Sequence, residues 1–200
     1  MQLKISSITN LTDARFFSAM GAHYLGFCLD VLNENNIAIP KAKEIINWLH
    51  EPVMVGEFGM HQSQEELEYI AKELSMSDIQ IPFEHPEKRE LDFDKFLNID
   101  LNSITDGLRS TDFFVIKITD KLLEQVQHNT TNADDSIVSL RHFIASNRVF
   151  IETDFTKEDI LPTIQDLHPY GIQISCKPEE KSGLSAVDEY AAILEKLGFS

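Results

Sequence analysis

The residues of this chain best able to do chemistry are carboxylates that fall where apolar segments end. Asp30, Glu57, Asp100, Glu152 and Asp154 stand at the ends of strand-like runs, and Lys4 and Lys117 are available as counter-charges. Carboxylates gathered from several strand ends would make an acidic mouth for a cationic ligand or a hard metal. Loops of an acidic protein that collect solvated carboxylates and structural ion pairs would give the same pattern. Lys4, inside the first apolar run, reads as a buried ion-pair partner rather than a catalyst. Cys28 and Cys176 form no CxxC pair and read as small buried hydrophobes. His50, His61, His85, His128 and His168 fall in loops or at helix ends, and no two histidines have metal-ligand spacing. Neither a metal nor a cofactor is expected.

The composition narrows the partners. The chain has 200 residues, with 17 Lys and Arg against 33 Asp and Glu, a net charge of -16. A field of that sign repels nucleic acid and anionic lipid, and it repels phosphorylated metabolites unless a local basic pocket captures them. The N-terminal residues already look like a strand, without the basic stretch and long apolar run of a signal peptide. No apolar stretch approaches a membrane span. The expectation is a cytoplasmic protein that binds neither nucleic acid nor membrane. A small-molecule ligand, a protein partner and self-association all stay open.

The elements that must position these side chains alternate along the whole chain. Strand-like runs occur at Leu3–Ile5, Tyr24–Leu29, Val53–Phe58, Asp78–Ile81, Phe96–Leu101, Phe113–Ile118, Val149–Ile151 and Gly171–Ser175. Between them, Thr12–Met20 places Ala14, Phe17 and Met20 on one helical face, with Gly21 as its C-terminal stop. Pro40 opens a helix carrying Ile45, Ile46 and Leu49. Ser63-x-x-Glu66 is a capping box before Leu67, Ile70 and Leu74. Thr156 and Ser185 are candidate caps for two further helices, the last ending before Gly198. Phe16, Phe17, Phe113 and Phe114 read as core. The segment from Glu84 to Asp94 is a charged loop, Gln127 to Asp135 reads as a loop or frayed helix end, and the helix signal after the fifth strand is poor. Strands that read as continuous apolar runs alternating with helices imply a parallel sheet covered by helices. Periodicity leaves a closed barrel and an open doubly wound sheet both open. No linker divides the chain, so 1–200 is expected to be a single domain.

Several segments resemble one enzyme family. Lys4-Ile5-Ser6-Ser7-Ile8-Thr9-Asn10 is similar to the Lys-Ile-Cys-Gly-Ile-Thr motif of phosphoribosylanthranilate isomerases. Gly21-Ala22-x-x-Leu25-Gly26-Phe27 resembles the family's Gly-Ala-Asp-x-Leu-Gly-Phe. Ile39-Pro40 resembles its Ser-Pro-Arg-Tyr-Val-Ser-Pro region, and Val55-Gly56-x-Phe58 its third strand. Pro169-Tyr170-Gly171-Ile172-x-Ile174-Ser175 resembles its last strand. The likeness is strong at both ends and weak between Glu84 and Asn147. It implies a single (β/α)8 TIM barrel, and it implies the family's reaction, an Amadori rearrangement in tryptophan biosynthesis. That reaction needs a general acid at the ring oxygen and a general base at C2. It also needs glycine-rich turns that hold phosphate through backbone N–H groups.

At the site the chain departs from this pattern. The family's catalytic Cys position is Ser6, and the next Gly is Ser7. A hydroxyl is far less acidic than a thiol and does not supply an anionic base without an activating partner. Lys117 stands at the position of the family's acid. The Gly-rich turn after the sixth strand is absent, and Glu152-Thr153-Asp154 replaces Ala-Gly-Gly after the seventh. Cys176-Lys177-Pro178-Glu179 replaces the glycine-containing turn after the eighth. The family's Arg aligns with Asn36, and its Gln-Leu-His-Gly reads Gln80-Ile81-Pro82-Phe83. The resemblance thus gives Ser6 and Lys117 as catalytic positions, and Lys4, Ser7, Asn36, Gln80, Asp154 and Ser175 as ligand-binding positions. The function expected is that of an isomerase-like barrel whose activity is lost or re-purposed. The alternatives are an active isomerase with an atypical site, and another barrel enzyme or cation-binding protein using the acidic mouth.

Overall fold

Short runs rich in β-branched and aromatic residues, buried on both faces, favour parallel strands that need helices outside them. In the computed structural model, which describes residues 1–86, 88–105, 108–119, 126, 135–153, 160–176 and 187–199, eight such runs form the strands. They are β1 (Gln2–Ser6), β2 (Tyr24–Cys28), β3 (Val53–Glu57), β4 (Asp78–Pro82), β5 (Asp94–Asn98), β6 (Phe113–Lys117), β7 (Arg148–Glu152) and β8 (Gly171–Ser175). All neighbours pair in parallel, and β8 returns to β1, with Gln2 opposite Gly171 and Ser6 opposite Ser175. The sheet is therefore a closed barrel in sequence order. Closure decides between the two topologies that periodicity left open.

Six α-helices cover it among the described residues: α1 (Leu11–Ala19), α2 (Ile39–Ile46), α3 (Gln64–Glu73), α4 (Asp135–Ser146), α5 (Ile160–Leu167) and α6 (Val187–Lys196). Asn10 caps α1, its Oδ1 accepting from the Asp13 N–H at 2.8 Å. Ser63 Oγ accepts from the Glu66 N–H at 3.3 Å and caps α3. Glu66, the other half of that capping box, turns its carboxylate to the Gln62 side-chain amide at 3.4 Å. Thr156 and Ser185 lie outside the described residues, as does all of the Gln127 loop except Asp135, which opens α4. Helix α4 carries Ile137, Leu140, Phe143 and Ile144 into the core, a helical stripe the sequence reading passed over.

Two crossovers lack an α-helix among the described residues. β4 leads to β5 through turns, and β5 leads to β6 through a single 3-10 turn at Leu101–Ser103. The first of these segments carries Pro86 and few apolar residues, too few for a helical stripe. Buried Leu91 and partly buried Phe83 and Phe93 cover the barrel there instead. Lys95 Nζ donates to the Leu91 and Phe93 carbonyls at 3.0 and 2.8 Å and ties the segment to the strand. The fifth strand accordingly starts at Asp94 rather than Phe96 and ends at Asn98. Leu101, expected in the strand, belongs to the 3-10 turn.

Strand alternation divides the core in two. Outward side chains such as Leu3, Ile5, Leu25, Phe114 and Ile116 join the helices in one large cluster. Inward side chains Val55, Phe96, Phe113, Val115 and Phe150, with Tyr24 packed on them, fill the barrel. Layers of inward side chains close the interior of such barrels and confine chemistry to the C-terminal mouth.

Candidate functional site

The floor beneath the mouth is aromatic. Phe96 stacks on Phe113 with ring centroids 4.6 Å apart and planes 18° from parallel, and it meets Tyr24 and Phe150 edge-on at 5.0 and 5.3 Å. Such pairs contribute about 0.5–1.5 kcal/mol each beyond the area they bury.

Above this floor sits an ion pair. Lys4 Nζ, with no solvent exposure, donates to Glu57 Oε1 at 2.7 Å and lies 5.6 Å from the Phe96 ring centroid. Glu57 Oε2 accepts from the Ser7 backbone N–H at 3.1 Å. The pair joins β1 to β3 across β2, and Gly26 makes that possible, because a Cβ there would overlap the Glu57 carboxylate and crowd Lys4 Nζ. Ser7 has φ 60, the left-handed region that favours glycine, and glycine is the residue of the resembled motif at this place. The conformation persists with serine because Glu57 anchors the Ser7 N–H. Glu57 therefore serves as a neutralised anchor, not as a free carboxylate of an acidic mouth.

Further polar inward side chains complete the layer. Gln80 Nε2 donates to Asn98 Oδ1 at 2.6 Å. Gln173 Nε2 donates to Glu152 Oε2 at 2.7 Å, and Ser175 Oγ meets Glu152 Oε1 at 3.2 Å. Lys117 Nζ is 3.5 Å from the same oxygen, with its side chain 76% exposed. Ser6 is buried, with its Oγ 3.4 Å from Ser7 Oγ. Among the described residues no His, Asp or Glu hydrogen-bonds to the Ser6 hydroxyl. Cys28 lines the mouth too, but burial pushes its thiol up to about 11, and burial raises Cys176 further. Neither is a thiolate at neutral pH. At the rim, Asp30 Oδ1 accepts from the Leu32 N–H at 2.9 Å and lies 3.4 Å from His61 Nε2.

These groups enclose a cavity of about 570 Å³ at the C-terminal ends of the strands. Ser6, Ser7, Gln80, Lys117 and Ser175 all line it, as do Asp30, Glu57, Asp100 and Glu152. Lys4 lies beneath it. Asn36 is exposed and outside the lining, its Nδ2 donating to the Cys28 carbonyl at 3.3 Å. Asn33 and Asn35 line the cavity from that loop instead. Asp154 lies outside the described residues, as do Lys177, Pro178 and Glu179. Asn98 and Gln173 were missed in the sequence, although a signal existed. Gln173 alternates with Ile172 and Ile174, and a polar residue at every second place marks an inward position. No group of three or more His, Cys, Asp or Glu side chains among the described residues is placed to hold a metal ion.

No family model and no curated protein matches this sequence. Solved structures do match. A phosphoribosyl anthranilate isomerase from Thermus thermophilus superposes with a TM-score of 0.76 at 22% identity, over 99% of this chain and 98% of that one. A phosphoribosyl anthranilate isomerase in complex with reduced 1-(o-carboxyphenylamino)-1-deoxyribulose 5-phosphate gives 0.75 at 18% identity, over 98% and 97%. TrpF from Jonesia denitrificans gives 0.74 at 14%, over 98% and 95%. Along almost its entire length, then, this chain has the fold of the solved phosphoribosylanthranilate isomerases.

Proposed function

We propose that this chain is an isomerase-like barrel that has lost the Amadori rearrangement and uses its mouth to hold a different small ligand. The observation that carries this reading is the Glu152 carboxylate. Gln173 and Ser175 hold it at the end of β7, in the cavity wall. The resemblance puts a phosphate-binding turn directly after this strand, and a fixed carboxylate there opposes a phosphate by Coulomb repulsion in a partly desolvated site. Ser6, the aligned base, has a second hydroxyl as its neighbour and no activating group among the described residues. Lys117, the aligned acid, extends into solvent beside Glu152.

A general base contributes about 10²–10⁴ in rate, and a general acid a comparable factor. Loss of both, together with the group that orients the substrate, removes effects that act as a unit. Purified protein is therefore expected to show no phosphoribosylanthranilate turnover, followed by the loss of substrate fluorescence. Ser6→Cys should remain inactive, because the restored base has nothing positioned to act on. Robust wild-type turnover that disappears in Ser6→Ala would refute the proposal and make Ser6 a working catalytic residue. Growth rescue of an isomerase-deficient auxotroph by wild type would do the same.

A further inference from the structure

Among the described residues that line the mouth, the buried amide oxygens of Asn35, Gln80 and Gln173 have no hydrogen-bond partner; Asn35 lies in a turn, Gln80 and Gln173 on the strands. Gln173 is 1% exposed and Gln80 is 5% exposed, both line the cavity, and the Oε1 of each lacks a hydrogen bond among the described residues. The orientation of Gln173 is determined by its neighbour. Its amide meets Glu152 Oε2 at 2.7 Å, and an ionised carboxylate only accepts, so Nε2 faces Glu152 and Oε1 is left as an acceptor. Gln80 donates its Nε2 to Asn98 Oδ1 at 2.6 Å, which leaves its own Oε1 unpaired. A buried acceptor without a donor is destabilising. Several of them in one cavity, two on strands of the barrel wall, call for a ligand that brings donors.

The placement and the charge define that ligand. β4 and β8 stand four strands apart in a closed ring of eight, so Gln80 and Gln173 face each other from opposite walls. Asp30, Glu57, Glu84, Asp100 and Glu152 line the cavity, against Lys117 at the rim and Lys4 below. An anion meets repulsion there, and a neutral donor forgoes the Coulomb attraction. A hard metal ion needs several oxygens converging on one point, and the described acidic side chains are not gathered in that way. Pro82, Ile99 and Val115 supply apolar wall for a short hydrocarbon chain.

We propose that this mouth binds a small organic cation with N–H donors at both ends, of the diamine or polyamine class, through the amide oxygens of Gln80 and Gln173 and the carboxylate of Glu152. The inference rests on the reading that the mouth no longer takes a sugar phosphate.

Calorimetric titration of the full chain with putrescine, butanediol, magnesium chloride and inorganic phosphate tests it. Putrescine is expected to bind, and more weakly as salt rises, since screening acts on charge. The other three probes are expected to give no binding. Gln173→Met and Glu152→Gln should each weaken putrescine at least tenfold, about 1.4 kcal/mol, with circular dichroism confirming the fold. If a variant fails to fold, the wild-type salt dependence and the butanediol comparison decide. No putrescine binding, equal binding of butanediol, binding of magnesium alone, or folded variants with unchanged affinity would each overturn the assignment. Phosphoribosylanthranilate turnover by the same preparation would instead overturn the reading beneath it. Absent turnover together with absent putrescine binding would reject the ligand alone.

Discussion

Lys4 carries a full charge into a barrel whose floor is four aromatic rings, and Glu57 is what makes that tolerable. A buried pair of this kind contributes little net stability over an apolar replacement, but breaking it leaves one charge desolvated and alone. Lys4→Met is therefore expected to cost about 3–5 kcal/mol, because Glu57 stays buried without its cation. Combining it with Glu57→Gln should recover much of that loss, since the remaining amide is neutral and can still accept from the Ser7 N–H. Urea unfolding of wild type, both single variants and the double variant measures the coupling. A double variant as unstable as the sum of the singles would show that the two residues act independently.

Helix ends show how local chemistry is bent to the fold. Gly21 after α1 and Gly198 after α6 have φ of 77 and 82, the usual glycine stop. Ser75 after α3 and His168 after α5 take the same left-handed turn, with φ of 54 and 48, and pay a steric penalty for it. At α3 the turn is closed by the Met76 N–H on the Ala71 carbonyl at 2.9 Å and the Ser75 N–H on the Lys72 carbonyl at 3.1 Å. Ser75→Gly keeps both bonds and removes the Cβ clash, while adding some freedom to the unfolded chain. It is expected to stabilise the protein by about 0.5–1 kcal/mol, read as a higher denaturant midpoint at unchanged slope. Ser75→Ala, which retains a Cβ, should bring no such gain.

At the scale of the whole molecule, the base of the barrel makes stability depend on pH. Asp78 is buried at the start of β4, where desolvation raises its pKa above the ordinary 3.8, partly countered by the Ser77 hydroxyl and reinforced by Asp94 opposite on β5. Tyr24 lies near the same carboxylates. A raised carboxyl means that the folded state binds the proton more tightly than the unfolded state. The stability Asp78 contributes is thus complete below pH 3.8 and is lost as pH rises through its folded value. Asp78→Asn, whose amide oxygen can still accept from Ser77, is expected to stabilise the protein at neutral pH. That advantage should shrink on acidification towards 3.8. Denaturant titrations of both proteins across this range give the comparison, and a difference constant with pH would contradict the assignment.

Local chemistry alone was enough to locate seven of the strands and, only roughly, the fifth, together with the first three helices, the last two, Gly21 as a stop and Lys4 as an ion-pair member. Each depends on neighbours a few residues away or on a charge that must find a partner when buried. The motif resemblance then pointed to a closed barrel, which periodicity could not separate from an open sheet, because both bury parallel strands under helices. Only the tertiary structure decided what the strand-end residues do. Glu57 and Glu152 look alike in the sequence, yet one is neutralised by Lys4 from β1 and the other is presented by Gln173 and Ser175 from β8. That difference is made by barrel register and closure, which bring together residues far apart in the chain. Closure also set Gln80 and Gln173 on facing walls, each with an acceptor that nothing local could have shown to be unpaired.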